Sequence, residues 1–166
     1  MKTILSEKLP RILKNKKRLE SKLNIKISNR GKEVQINGKP EEEYIAEKVI
    51  DALNFGFSFS VAISIKEESL EFEILNIKDH TTRKDLKRVR ARIIGKGGKT
   101  LKTLNQLTKC NFELKDNFVG IIGLPELIKN AQESVISIIK GSKQSNVYSH
   151  LEKHQLKPLI DLGLKG

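Results

Sequence analysis

Gly95-Lys96-Gly97-Gly98-Lys99-Thr100 is the segment of this chain best suited to hold a phosphate. Glycine has no Cβ, so the backbone can turn sharply and an anion can approach the main chain. A helix that starts just after such a turn presents unpaired N–H groups and the positive end of its dipole. Lys96 and Lys99 add charge beside it. Two phosphate sources suit these residue types: a nucleoside triphosphate and a nucleic-acid backbone.

A triphosphate loop needs Gly-x-x-x-x-Gly-Lys-[Ser/Thr] behind a buried apolar strand. Counted back from Gly98, the first glycine belongs at position 93, which holds Ile93. The preceding stretch RKDLKRVRARII (83–94) spaces Leu86, Val89, Ile93 and Ile94 as a helix, with cations between them. A triphosphate therefore fits neither the spacing nor the element. A GXXG loop of the KH type fits both. It joins two helices and clamps about four nucleotides of single-stranded backbone.

The surrounding elements agree. KTLKTLNQL (99–107) sets Leu101, Leu104 and Leu107 on one side of a second helix. LEFEILNI (70–77) alternates as a strand; NFEL and FVGII are short strands around the turn pair Asp116-Asn117. A last helix opens at Pro125-Glu126, buries Leu127, Ile128, Ala131, Val135 and Ile138, and ends at Gly141. The order is β-α-loop-α-β-β-α. Ile94, Leu101 and one face of the neighbouring strand line an apolar groove in which bases could lie.

A second copy is hidden upstream. A shift of 85 residues lays VQINGKPEEEYIAEKVIDALNFG (34–56) on VGIIGLPELIKNAQESVISIIKG (119–141) without a gap. Gly38, Pro40, Glu41, Ala46 and Gly56 fall on Gly123, Pro125, Glu126, Ala131 and Gly141. The same shift puts Pro10-Arg11-Ile12-Leu13 opposite the glycine loop, so this copy has no GXXG. It also places the counterpart of the first strand before Met1, which predicts a shortened module.

Charge points to a polyanion. The net charge is +12 and the isoelectric point about 9.8. Residues 1–30 hold ten basic and two acidic side chains, and residues 81–115 hold eleven and two. Residues 31–80 invert this, with five basic and eleven acidic. Two basic blocks, one around the glycine loop, form the electrostatic footprint of nucleic acid, with an anionic membrane surface second. The longest uncharged stretch, 52–65, is too short and polar to span a bilayer, and no secretory signal is visible. Cys110 is the lone cysteine, so no internal disulfide or cysteine-based zinc site is expected; the cytosol is the simplest compartment.

Other chemistry-bearing residues read as structural. Glu41, Glu42 and Glu43 open a helix, where acids offset the dipole. His150 and His154 sit one helical turn apart with no third metal ligand, and His80 has no nucleophile beside it. Cys110 and Tyr148 read as packing residues.

RARIIGKGGKTLKTLNQLTKCNFEL (90–114), VGIIGLPELIKNAQESVISIIKG (119–141) and NVYSHLEKH (146–154) resemble the "partner of Nob" family of small-subunit ribosome-assembly factors, in its compact archaeal form. The resemblance implies an α+β fold of two tandem type I KH-like modules packed together, three-stranded antiparallel sheets covered by helices. The first (1–66) is shortened and degenerate, the second (67–142) carries the GXXG loop, and 143–166 is a C-terminal helical extension. It implies binding of single-stranded RNA at the 3′ region of small-subunit rRNA, beside a Nob-type endonuclease and without nuclease activity of its own. An initiation factor alpha subunit is a further implied partner; no cofactor, metal or membrane is. The RNA-contacting loop maps onto Gly95, Lys96, Gly97 and Gly98, flanked by Ile94, Lys99 and Lys102, with a basic helix at Arg88, Arg90 and Arg92. The family also has a short helix at 57–65, where FSFSVAISI alternates like a strand; the resemblance is followed there. Two alternatives stand beside RNA binding. One is a scaffold that docks a nuclease or translation factor through the first module. The other is an enzyme, which the broken triphosphate motif disfavours.

Overall fold

Alternating apolar and polar residues build two sheets of one pattern. In the first, β1 (Lys2–Leu5), β2 (Lys26–Arg30) and β3 (Glu33–Asn37) pair antiparallel in the order β1-β3-β2. In the second, β4 (Glu71–Asn76), β5 (Asn111–Lys115) and β6 (Phe118–Gly123) pair antiparallel in the order β4-β6-β5. The structure, a computed structural model, describes residues 1–154. Helices α1 (Leu9–Lys14), α2 (Lys16–Leu23) and α3 (Pro40–Phe55) belong to the first sheet. Helices α5 (Leu86–Ile94), α6 (Lys99–Thr108) and α7 (Pro125–Ile139) belong to the second. α4 (Phe59–Glu67) joins the two modules, and α8 (Gln144–Lys153) packs on α6 and α7. This is the expected α+β fold of two KH-type modules. Of the 143–166 extension, residues 155–166 lie outside the described residues.

Each module closes its own core. Ile12, Leu19, Val34, Ile36, Ala46, Ile50 and Leu53 are fully buried in the first, and Ile93, Leu104, Val119, Ile121, Ala131, Val135 and Ile138 in the second. Along α7 the expected stripe is buried except Leu127, which is half-covered. Cys110 packs against β6 so closely that a β-carbon at Gly123 would meet its Sγ at 2.4 Å. Burial pushes its thiol up to about 11, which makes it an inert packing group.

One expectation changes. The opening strand of the first module does not fall before Met1: β1 pairs with β3 from Lys2 opposite Ile36 to Leu5 opposite Glu33. The element order is complete, and the shortening lies between β1 and α2. α1 has 6 residues where α5 has 9; Pro10 sits in its first turn, Ile12 is buried in the core and Leu9 packs partly against it. The 85-residue shift therefore holds from α2 onward and fails before it.

Residues 59–67 are helical, as the resemblance implies and against the alternation. The Ser58 hydroxyl accepts the Val61 N–H at 3.3 Å and caps the helix. Ala62, Ile63, Ser64 and Ile65 are all buried, so the helix is covered on several sides and shows no 3.6-residue period.

The modules join head to tail. Phe55, the last residue of α3, and Phe57 just beyond it lie on the outer face of the second sheet, where Phe72 meets both rings edge-on at 5.8 and 5.7 Å. Gly120 makes this possible: a β-carbon there would stand 2.7 Å from Phe55 and 3.0 Å from Phe57. Ile122 on the same face joins the first module's core. Arg11 donates to the Phe57 carbonyl at 2.8 Å, and Lys115 pairs with Glu7 at 3.4 Å. Burial in this seam raises the Glu113 carboxyl above its usual range, with Lys8 and Arg11 opposing.

Candidate nucleic-acid interface

α5 ends where Gly95 turns away at φ +76, its N–H held by the Ala91 carbonyl at 2.8 Å. Gly97 and Gly98 follow at φ +63 and +78, a left-handed region that disfavours residues with a Cβ. The glycines serve differently. A β-carbon at Gly95 would strike Thr100 Oγ1 at 2.1 Å, so this position braces the turn. At Gly97 and Gly98 nothing lies within 4 Å, so the main chain there faces open space. α6 starts at Lys99 with no side-chain cap; the Gly98 N–H is held by the Gly95 carbonyl at 3.1 Å and the Lys99 N–H by the Lys96 carbonyl, which closes the turn within its own main chain. Lys96, Lys99 and Lys102 are exposed around this opening.

Two hollows lie along edge strand β5, one against α5 and one against α6, and together they form an apolar trough beside the loop. Phe112 and Leu114 project from β5 toward the helices, on the face that carries Ile121 and Val119 across the register. Ile94, 38% exposed, closes one end with Ala91 and Leu114; Leu101 and Phe112 floor the other. Lys87, Arg90 and Asp116 rim the first end, and Lys102, Asn105, Gln106 and Asn111 the second. Asn105 is fixed by donating to the Cys110 carbonyl at 2.7 Å and to Asn111 Oδ1 at 3.1 Å. Arg90 Nη1 donates to the Asp116 carbonyl at 3.2 Å, while its buried Nε has no acceptor. Lys87, Asn105, Gln106, Phe112 and Leu114 were not singled out from the sequence. Helical phase relative to Ile94 and Leu101 would have found the first three.

α5 does not present Arg88, Arg90 and Arg92 as one face. At 3.6 residues per turn, positions i and i+4 align and i+2 points the other way. Arg90 faces the groove; Arg88 and Arg92 face α7. Arg92 donates to the Ile138 carbonyl at 2.7 Å and the Ser142 carbonyl at 2.6 Å, covering the end of α7. Among the described residues, Arg88, Arg90, Lys96, Lys99 and Lys102 have no carboxylate partner within ion-pair distance.

The first module offers no such opening. Asn15 stands between α1 and α2, 9% exposed, with its amide bonded to the Arg11 carbonyl at 2.8 Å. The edge of β2 is occupied as well, because Glu20 Oε2 accepts the Ile27 N–H at 2.8 Å. No described helix is long and apolar enough to cross a membrane.

The second module thus joins an uncovered glycine turn, cations without carboxylate partners and apolar hollows, features that suit a chain of phosphates and flat bases. Residues 71–156 match the family model for the second KH domain of PNO1 proteins, a eukaryotic type KH-domain (KH-domain type I). The RNA-binding protein pno1 of Drosophila melanogaster is 32% identical over 138 residues, covering 78% of this chain and 58% of that protein. KH domain-containing protein MJ0443 of Methanocaldococcus jannaschii is 26% identical over 149 residues, 86% of this chain and 66% of that protein. The chain spans between 51% and 66% of the length of such curated relatives. The crystal structure of Dim2p from Pyrococcus horikoshii OT3 superposes with a TM-score of 0.84 at 26% identity, covering 92% of this chain and 98% of that one. Its counterpart in the a/eIF2alpha-aDim2p-rRNA complex gives 0.82 at 27% identity, with 92% of each chain covered. With more than half of its residues inside that family model, the chain belongs to the PNO1 family of KH-domain proteins.

Proposed function

We propose that this protein binds single-stranded RNA as a small-subunit ribosome-assembly factor, with the 3′ region of small-subunit rRNA as its target. The observation that carries this is the glycine loop, whose main chain at Gly97 and Gly98 faces open space beside the apolar groove. Relatives named pre-rRNA-processing protein PNO1, and a structural neighbour solved with rRNA, support it. Phosphates rest on the Gly95–Gly98 main chain between Lys96 and Lys99. Bases lie on Ile94, Leu101, Phe112 and Leu114, with Arg90 and Lys102 on the rim. The chain divides into modules at 1–66 and 67–142 and an extension at 143–166. A Nob-type endonuclease and an initiation factor alpha subunit are the protein partners, and the chain itself has no catalytic role.

Replacing Lys96 and Gly97 together by aspartate tests this. Nothing surrounds Gly97, so the fold bears only the left-handed backbone cost of about 1–2 kcal/mol. Affinity for a fluorescein-labelled single strand, measured by anisotropy on the full chain, falls at least about tenfold, or 1.4 kcal/mol. The wild-type log–log salt slope is about −0.7 per phosphate neutralised. Undiminished affinity in the folded variant would move RNA off the loop.

A further inference from the structure

The side of α5 turned away from the groove carries a second cationic cleft. Arg83, Lys84, Arg88 and Arg92 surround about 690 Å³ beside Val89 and Gly141. Arg92 is spent on the carbonyls at the end of α7, so it forms a wall. Arg83 lies against bare backbone: a β-carbon at Gly141, where φ is +103, would be 3.3 Å from its Nη2. Lys84 and Arg88 are exposed. The one carboxylate lining the cleft, Asp85, accepts the Arg88 backbone N–H at 3.2 Å and forms no ion pair.

Three side chains with like charge crowd this cleft without a partner among the described residues. Asp85 supplies the one negative charge in the cleft, and the three cations leave a net positive potential there that attracts an anion. None of the three supports packing: α7 is already covered by Arg92, and the core face of α5 is Val89 and Ile93. We infer that Arg83, Lys84 and Arg88 form a second phosphodiester site for the same RNA strand, beyond the nucleotides held by the glycine loop. The nine residues of α5 cover only about 13 Å at 1.5 Å per residue, so a strand longer than the loop's four nucleotides can pass from the loop to the cleft. This rests on the RNA reading of the loop, and the test separates the two.

The full chain with Arg83→Glu and Lys84→Glu is titrated with a labelled tetranucleotide and a labelled strand of about 12 nucleotides, within the range of single-strand site sizes. Both side chains are exposed, so an unchanged thermal melt checks the fold. The longer strand loses about tenfold or more in affinity, and its salt slope becomes shallower by about 1.4, the value for two phosphates. The tetranucleotide, which the loop and groove accommodate, changes less than about twofold. An unchanged slope for the longer strand overturns the cleft as an RNA site, including the case where the variant loses a protein partner instead. Equal losses at both lengths overturn it too, because the charges then act on the loop from a distance. Wild-type protein that binds neither strand defeats the loop reading itself, a result the variant alone cannot produce.

Discussion

A β-carbon at position 95 would sit 2.1 Å from Thr100 Oγ1 and 2.6 Å from the Thr100 backbone nitrogen, while one at position 97 would meet nothing. The two glycines should therefore fail differently. Gly97→Ala carries only the left-handed penalty of about 1–2 kcal/mol. Gly95→Ala adds overpacking worth about 1–3 kcal/mol, because Thr100 is buried and cannot move aside. Urea denaturation of both variants measures the gap; equal losses would mean that Thr100 does not brace the loop. The glycines and the sharp turn they make between two helices were legible in the sequence. The role of Thr100 was not, since it resembled the last letter of a triphosphate motif until the turn was seen folded over it. Arg92 was hidden for a different reason: the carbonyls it holds lie 46 and 50 residues away, beyond any local pattern.

α5 shows what one helical turn does to a run of cations. Arg90 goes to the groove, while Arg88 and Arg92 go toward α7, and the bond network fixes Arg92 in a structural role. Arg92→Ala should cost about 1–2 kcal/mol, less than a fully buried charged bond because water reaches Ser142. Denaturation midpoints check this, with Arg92→Lys recovering less than half of the loss; full recovery by lysine would show that charge alone matters there. Most elements were readable from periodicity, and the α7 pattern with Pro125 and Gly141 fixed its ends closely. β1 was misplaced because four residues hold too little alternation to outweigh an ungapped repeat. α4 misled in the opposite way. Its buried residues sit on several sides, so alternation imitated a strand and only the Ser58 cap marks the helix start.

At the scale of the whole molecule, the two copies diverge where they touch. Gly120 and Ile122 on the second sheet correspond under the 85-residue shift to Gln35 and Asn37 on the first. The repeat was legible, but its seating was not, because only contact with Phe55 and Phe57 gives Gly120 a purpose. Gly120→Val should drive those rings off the sheet and destabilise the chain by about 1–3 kcal/mol or more. It should also uncouple the modules, seen as two transitions in a melt where the wild type shows one; a single unshifted transition would mean that the seam is not structural. A hook on one unit that fits a socket on the next is also the recipe for an endless fibre. Among the described residues the socket is built on the second unit, where Gly120 leaves room for the rings; Gln35 and Asn37 stand at the corresponding positions on the first. Assembly thus halts after one joint, and the chain is a terminated dimer of repeats written into a single polypeptide.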